Sequence, residues 1–276
     1  MPKELILKLK PYISEKIWGW EKWVLSCHED GKCTVQEGIY EGHELSELLG
    51  CGNNFPILNK IISAEDKLSV QVHPNDEYAK RVEHSNGKTE CWYILEAKQG
   101  ATLVSGIKSG LNSEKLREII KQGKLEDYLE RINIKRGDFI YIPAGTVHAI
   151  ESGIKLIEVQ QSSNITYRLY DWGRGRELHI EKSLDVIDYE GKNNGGKIDK
   201  FDKLETPYFK VEKIIVHNNY VDTVKECFHS YIVISGEGFV KANNMEMKLK
   251  EEETIYISKG VEYILEGNME LIKSSV

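Results

Sequence analysis

Lys67-Leu-Ser-Val-Gln-Val-His-Pro-Asn-Asp76 is the stretch around which the chain is organised. Ser69, Gln71 and His73 alternate with Val70 and Val72. Successive side chains of a strand point to opposite faces, so the valines face a core while Ser69, Gln71 and His73 stand together on the other face. Pro74 has no N–H for a ladder and ends the strand, and Asn75-Asp76 makes a turn. Taken alone, this is most simply a surface strand with a solvated polar face. Two later segments change that reading.

Gly87-Lys-Thr-Glu-Cys-Trp-Tyr-Ile-Leu95 reads as a turn entering a strand, with Lys88 and Glu90 on one face. Lys135-Arg-Gly-Asp-Phe-Ile-Tyr-Ile-Pro-Ala-Gly-Thr-Val-His-Ala-Ile150 reads as a Gly-Asp turn, a strand, a Pro143-Ala-Gly145 turn and a new strand opened by His148. The order Gly137, Pro143, Gly145, His148 resembles the second sequence motif of the cupin superfamily position for position. It departs where that motif often has Asn and this chain has Ala149, Ile150, Glu151 and Ser152. Two His, one Glu and one Gln from three strands of a barrel would make a divalent-metal site. Imidazole with carboxylate suits zinc, and equally manganese or iron.

The chain has 276 residues, enough for one large or two modest domains. A net charge of −7 argues against nucleic acid, which needs a basic face. No apolar run is long enough to span a bilayer as a helix, and Met1-Pro-Lys-Glu-Leu-Ile-Leu-Lys-Leu-Lys10 is too charged for a secretory signal. Cys27, Cys33, Cys51, Cys91 and Cys227 are odd in number and lack a Cys-x-x-Cys pair, as expected of reduced thiols in a cytoplasmic protein. Cys27-His28 with Cys33 is too poorly spaced for a zinc knuckle.

Residues 1–24 read as an extended lead-in whose Trp18 and Trp20 are buried, and 24–40 as a strand pair turning at Glu29-Asp-Gly31. Glu44–Leu49, stopped by Gly50, predicts a short helix, and Phe55–Ser63 a buried strand. Asp76–Glu83 predicts one or two helical turns. Ser113 is the expected cap of a helix with Leu116, Ile119 and Ile120 on its apolar side, followed by a shorter one over Leu125–Leu129. These helices interrupt a β pattern and read as an insertion at about 106–131. Strands return at Phe139–Ile142, Ala149–Glu151, Lys155–Gln161 and Thr166–Tyr170.

Gly191-Lys-Asn-Asn-Gly-Gly-Lys197 is the best linker, and the tail beyond it echoes the front. Lys250–Gly260 aligns with Lys135–Gly145, 115 positions on (145 and 260), and Ser230–Ile234 aligns with Cys91–Leu95, 139 positions on (91 and 230). In the echo Glu90 becomes His229 and His148 becomes Tyr263. The expected organisation is a catalytic domain over 1–195 and a smaller metal-free copy over 196–276.

At this point the chain resembles the short bacterial form of type I mannose-6-phosphate isomerase (phosphomannose isomerase). The resemblance rests on Trp18-Gly19, the 67–76 stretch, Gly-Lys-Thr-Glu90, Pro-Ala-Gly-Thr-Val-His148 and Gln160-Gln-Ser-Ser-Asn-Ile-Thr-Tyr-Arg-Leu-Tyr-Asp-Trp-Gly-Arg174. It covers most of 5–190 and the tail more loosely. It implies an all-β fold of two cupin-like jelly rolls with a small helical insertion in the first. It implies one zinc ion per chain on Gln71, His73, Glu90 and His148, a catalytic Arg168, and interconversion of mannose 6-phosphate and fructose 6-phosphate.

That chemistry moves a proton between C2 and C1 through an enediol, so it needs stabilised oxyanion character, a held phosphate and an acid/base. Lys88 is a catalytic candidate, and Ser69 and Asp171 are candidates for substrate binding. The acid/base is left open among Lys88, a water, Glu158 and Asp171. Each has a plainer reading: Lys88 as a solvated turn lysine, Arg168 as a structural partner of Asp171 or Glu158, Gln71 as a residue that only orients water. His28, His43, His84, His179, His217 and His229 read as ordinary, and Trp172 as core or pocket wall. The expected partner is a hexose 6-phosphate, with no nucleic acid or membrane; the sequence does not give the oligomeric state. The rivals are a non-enzymatic sugar-phosphate-binding cupin and an iron or manganese cupin oxygenase or decarboxylase.

Overall fold

The computed structural model describes residues 5–52, 54–242 and 245–276. It is built mainly from antiparallel strands, and its described residues form two compact units, each discontinuous in sequence. One takes 5–14, Lys22–Ile61 and Lys200–Val276; the other takes Glu15–Glu21 and Ile62–Asp199. The chain passes between them four times, within the strands Tyr12–Lys16, Gly19–Leu25 and Ile57–Ala64 and after the strand Gly196–Ile198. This differs from a division at 195/196 for a local reason. The strand Ile6–Lys10 pairs with Thr254–Ser258, Ile6 opposite Ile257 and Leu9 opposite Thr254, so the start of the chain is built into the sheet of the tail.

In the second unit, Gly196–Ile198, Phe139–Ile142, Glu90–Ala97 and Ile154–Gln161 lie side by side in that order. A second sheet runs Tyr167–Tyr170, Val70–Val72, His148–Ile150, Thr102–Ile107, Leu129–Asn133. The alternation read from 69–73 holds. Val70 and Val72 are buried with Val104, Ala149, Tyr167 and Leu169 against helix residues Leu116, Leu125 and Leu184. The opposite face packs with Trp92, Ile94, Ile140, Ile142 and Leu156 and carries the polar residues.

The helical insertion lies between the paired strands Thr102–Ile107 and Leu129–Asn133, as Ser113–Lys121 and a 3-10 turn at Leu125–Tyr128. Its cap is Asn112, whose side chain accepts the Lys115 N–H at 2.9 Å, one residue before the expected Ser113. Either side chain can cap, and the backbone enters the helix after Asn112. The expected helices at 44–49 and 76–83 are present as Leu45–Leu49, stopped by left-handed Gly50, and Asp76–Val82. A helix at Ile180–Val186, absent from the sequence reading, packs against the same core. Trp18 is buried, but Trp20 is only half-buried.

The repeat is reproduced in register. Phe139, Ile140 and Tyr141 face Tyr93, Trp92 and Cys91; their echoes Thr254, Ile255 and Tyr256 face Ile232, Tyr231 and Ser230. The turn is copied as well. Gly137 donates to the Ile94 carbonyl and Ile94 to that of Asp138, while Glu252 donates to Val233 and Val233 to Glu253. Gly137 and Glu252 both have positive φ, 87° and 65°, as do Gly145 and Gly260, both at 90°.

Candidate metal centre and active site

The strand Val70–Val72 lies between His148 and Arg168: Gln71 is directly opposite both. Glu90 opens its own strand opposite Ile142 and Gln160. The ladder register thus converges side chains that are far apart in sequence. Turns finish the placement. The Gly145 N–H donates to the His73 carbonyl at 2.9 Å and the Lys88 N–H to the Pro74 carbonyl at 3.0 Å. A Cβ on Gly87 would lie 2.6 Å from Asn75 C and Asp76 N, so only glycine lets this turn close on the one after His73.

His73, Glu90 and His148 are all buried, and their donor atoms lie within 4.8 Å of one another. Among the described residues this is the one group of three or more His, Cys, Asp or Glu side chains so arranged that it could hold a metal ion. His73 Nε2 and His148 Nε2 lie 3.5 and 3.4 Å from the two oxygens of Glu90. His148 Nδ1 meets the Thr146 carbonyl at 2.9 Å, which keeps the proton there and leaves the Nε2 lone pair facing inward. Burial pulls the His148 pKa down to about 4 from 6.5, with Lys88 acting in the same direction, so the imidazole is neutral near pH 7. Two inward imidazole nitrogens and one carboxylate suit a divalent cation.

Gln71 is half-buried, with Nε2 3.3 Å from His148 Nε2. Buried Lys88 reaches the same focus, 2.8 Å from Glu90 Oε2 and 3.1 Å from His73 Nε2. Its reading as a solvated lysine does not hold, because the turn at Gly87 directs it inward. Trp92 packs edge-on against His148, 5.4 Å between ring centroids, and its indole N–H donates to buried Glu158 Oε2 at 3.1 Å.

Arg168 shares the face of Gln71, since Tyr167 and Leu169 point into the opposite core. Its Nη1 donates to the Glu177 carbonyl at 2.8 Å, and among the described residues its Nε has no hydrogen-bond partner. Burial lowers its pKa, helped by the nearby Arg176. His179, read as ordinary, brackets this position: its ring accepts the Arg168 N–H at 3.2 Å, and its own N–H donates to the Arg168 carbonyl at 2.8 Å. Ser69 is buried just before the Gln71 strand.

Asp171 is placed differently from the other candidates. Its carboxylate takes Arg174 at 2.9 Å and Arg176 at 2.5 and 2.8 Å. Burial would raise its pKa, but Arg176 and Arg174 outweigh burial and hold it below the ordinary value. The sequence reading missed Arg174 and Arg176; the visible signal was three arginines within nine residues, 168–176. Trp172, in a left-handed conformation at φ 54°, donates its indole N–H to the Leu68 carbonyl at 2.6 Å and carries Lys67 over its ring.

Residues 8–101 match the family model "Phosphomannose isomerase type I, catalytic domain". The mannose-6-phosphate isomerase ManA of Bacillus subtilis is 36% identical, with 97% of this chain and 98% of that protein aligned. The mannose-6-phosphate isomerase of Streptococcus mutans is 34% identical, over 92% of this chain and 87% of that one. The crystal structure of the Bacillus subtilis mannose 6-phosphate isomerase superposes with a TM-score of 0.89 at 30% identity, over 98% of this chain and 99% of that one. The fold is that cupin fold.

Proposed function

The chain belongs to the type I phosphomannose isomerase family, and we propose that it interconverts mannose 6-phosphate and fructose 6-phosphate with one zinc ion per chain. The observation that carries this reading is the buried His73, Glu90 and His148 group. These three would hold the ion, with Gln71 as a fourth donor. When bound, the ion would supply positive charge to stabilise the negative charge that develops on the enediol oxygens.

The chain's own residues do the rest. The reaction moves a proton from C2 to C1 through an enediol and another from the C2 hydroxyl to the C1 oxygen. Lys88 and Glu158 are the buried groups positioned to carry protons. Asp171, held ionised by two guanidiniums, is a poor base and serves to orient Arg174 and Arg176. Arg168 stays cationic at working pH and stabilises the enediolate beside Gln71. Ser69 and Lys88 lie on the segments that would meet the substrate's polar end. Trp92, Ile94 and Leu156 exclude water from this floor, which strengthens each charge interaction. Among the described residues no helix is long and apolar enough to cross a membrane, and Cys27, Cys33, Cys51, Cys91 and Cys227 are free thiols; we place the enzyme in the cytoplasm.

A coupled assay for fructose 6-phosphate formed from mannose 6-phosphate, with and without a chelator, tests the reading. Turnover lost on chelation and restored by zinc is expected. Tight binding of the sugar phosphate with no turnover under any metal would mean a non-enzymatic binding protein instead.

A further inference from the structure

We propose that Gln161 is a positioning residue for the metal centre, because its carboxamide ties together the three segments that present His73, Glu90 and His148. The inference rests on the metal reading above and concerns what holds the donors in place. Gln161 ends the strand Ile154–Gln161 and is buried.

Its side-chain oxygen accepts the N–H of Thr89, the residue before Glu90, at 2.9 Å. Its own N–H donates to the Thr89 carbonyl at 3.1 Å, so Thr89 is held from both sides. Its amide nitrogen donates to Asp76 Oδ1 at 2.9 Å, in the turn that follows His73. That same oxygen accepts the Gly87 N–H at 2.8 Å, at the start of the Glu90 segment. The third segment joins through Thr89, whose hydroxyl accepts the Ala144 N–H at 3.3 Å in the loop that leads to His148. One carboxamide therefore sits at the node of a chain running from Asp76 through Gln161 and Thr89 to Ala144.

The node needs an acceptor toward a backbone N–H and a donor toward a carboxylate, a fixed distance apart, which is what a primary amide provides. Removing the amide leaves a buried Thr89 N–H without its acceptor and releases the Asp76 turn from the Glu90 strand. Groups that orient metal donors commonly change affinity by about 10–100-fold when lost, because the donors no longer meet at one point. Asp76 itself reports the network: burial would raise its pKa, yet Gly87 and Gln161 hold it below the ordinary value.

The test measures zinc affinity directly, by competition with a chromogenic chelator, alongside urea unfolding of the chelator-treated protein. Gln161→Leu keeps the volume and loses both hydrogen bonds, and is expected to weaken zinc binding about 10–100-fold. Half-buried Asp76 provides a second variant in case Gln161→Leu folds poorly: Asp76→Ala is expected to weaken zinc to a similar degree. Asp76→Asn keeps an oxygen that can accept from both Gly87 and Gln161, so it should bind zinc within about threefold of wild type. A purely structural role would lower the stability of the metal-free protein and leave the affinity unchanged. Zinc affinity within threefold of wild type in folded Gln161→Leu or Asp76→Ala therefore overturns the inference. A wild-type protein that takes up no divalent metal overturns the metal reading on which it rests.

Discussion

His148 should make the metal-free protein acid-labile, by an amount that follows from its surroundings. The imidazole is fully buried, and burial brings its pKa from 6.5 to about 4. Glu90, 3.4 Å away, would favour the imidazolium, but its charge is already met by Lys88 at 2.8 Å. Above pH 6.5 the imidazole is neutral folded or unfolded, and titration adds nothing. Between pH 6.5 and 4 the unfolded chain holds a proton there that the folded chain refuses, so stability falls with pH across that window. The full shift is worth about 3 kcal/mol at ~1.4 kcal/mol per pK unit, a large part of the ~5–15 kcal/mol typical of a domain. Urea unfolding of chelator-treated protein near pH 7 and near pH 4.5, on wild type and on His148→Asn, measures it. Carboxylates whose pKa is lowered, such as Asp76, Glu83 and Asp171, are common to both proteins and cancel in the difference. Wild type should lose about 2–3 kcal/mol more than the variant over this interval. Lys88→Met should shrink that excess, because Glu90 then turns to the imidazolium. An equal loss in wild type and His148→Asn would refute the account of a desolvated, neutral His148.

Three further outcomes are expected. His148→Ala should lose bound metal and turnover together, checked by elemental analysis beside the coupled assay; retention of both would remove His148 from the donor set. Arg168→Ala and Arg168→Lys should lower kcat by about 100-fold or more with little change in KM, as for a charge that acts on the transition state; a raised KM with normal kcat would move Arg168 to phosphate binding. His229→Gln should leave turnover near wild type in the same assay, and a loss of more than about a hundredfold, the size of a missing acid/base, would mean the tail takes part in the chemistry.

The sequence made the centre legible wherever a strand's two-residue period fixed the face. Val70 and Val72 against Gln71 could be read this way, and so could Lys88 with Glu90 once Gly87 announced a turn. The repeat was legible because turn geometry constrains residue type: Gly137 and Gly145 need positive φ, and the tail keeps Gly260 at the same place. The claim of Arg174 and Arg176 on the Asp171 carboxylate is local, three and five residues on, and the arginines at 168–176 were its signal. What else escaped was set by partners distant in sequence. Gln161 drew no role from the sequence because its partners, Asp76 and Thr89, are 85 and 72 residues away. The same limit hid the pairing of Ile6–Lys10 with Thr254–Ser258, which no period or turn signal within either segment encodes.

The two copies of the jelly roll separate what the fold decides from what residue type decides. At matching register, Glu90, Trp92 and His148 of one copy correspond to His229, Tyr231 and Tyr263 of the other. Trp92 meets His148 edge-on at 5.4 Å, and Tyr231 meets Tyr263 edge-on at 5.9 Å, so even the ring packing is kept. Each copy also has a carboxylate–ammonium pair at 2.8 Å, buried Glu90 with Lys88 in one and half-buried Asp222 with Lys273 in the other. The difference lies in where the lone pairs go. In the tail, the Tyr263 hydroxyl meets His229 at 2.7 Å, Tyr231 at 2.5 Å and Asp222 at 3.3 Å, so donors and acceptors satisfy one another in a closed chain. Burial raises the Tyr231 and Tyr263 pKa values, which keeps both phenols protonated and poor as metal donors. In the other copy the Nε2 atoms of two imidazoles lie 3.5 and 3.4 Å from the oxygens of one carboxylate, a donor set that suits a divalent cation. The barrel sets the same positions in both copies, and a carboxylate where the tail has His229, with an imidazole where it has Tyr263, makes one of them a candidate centre for chemistry.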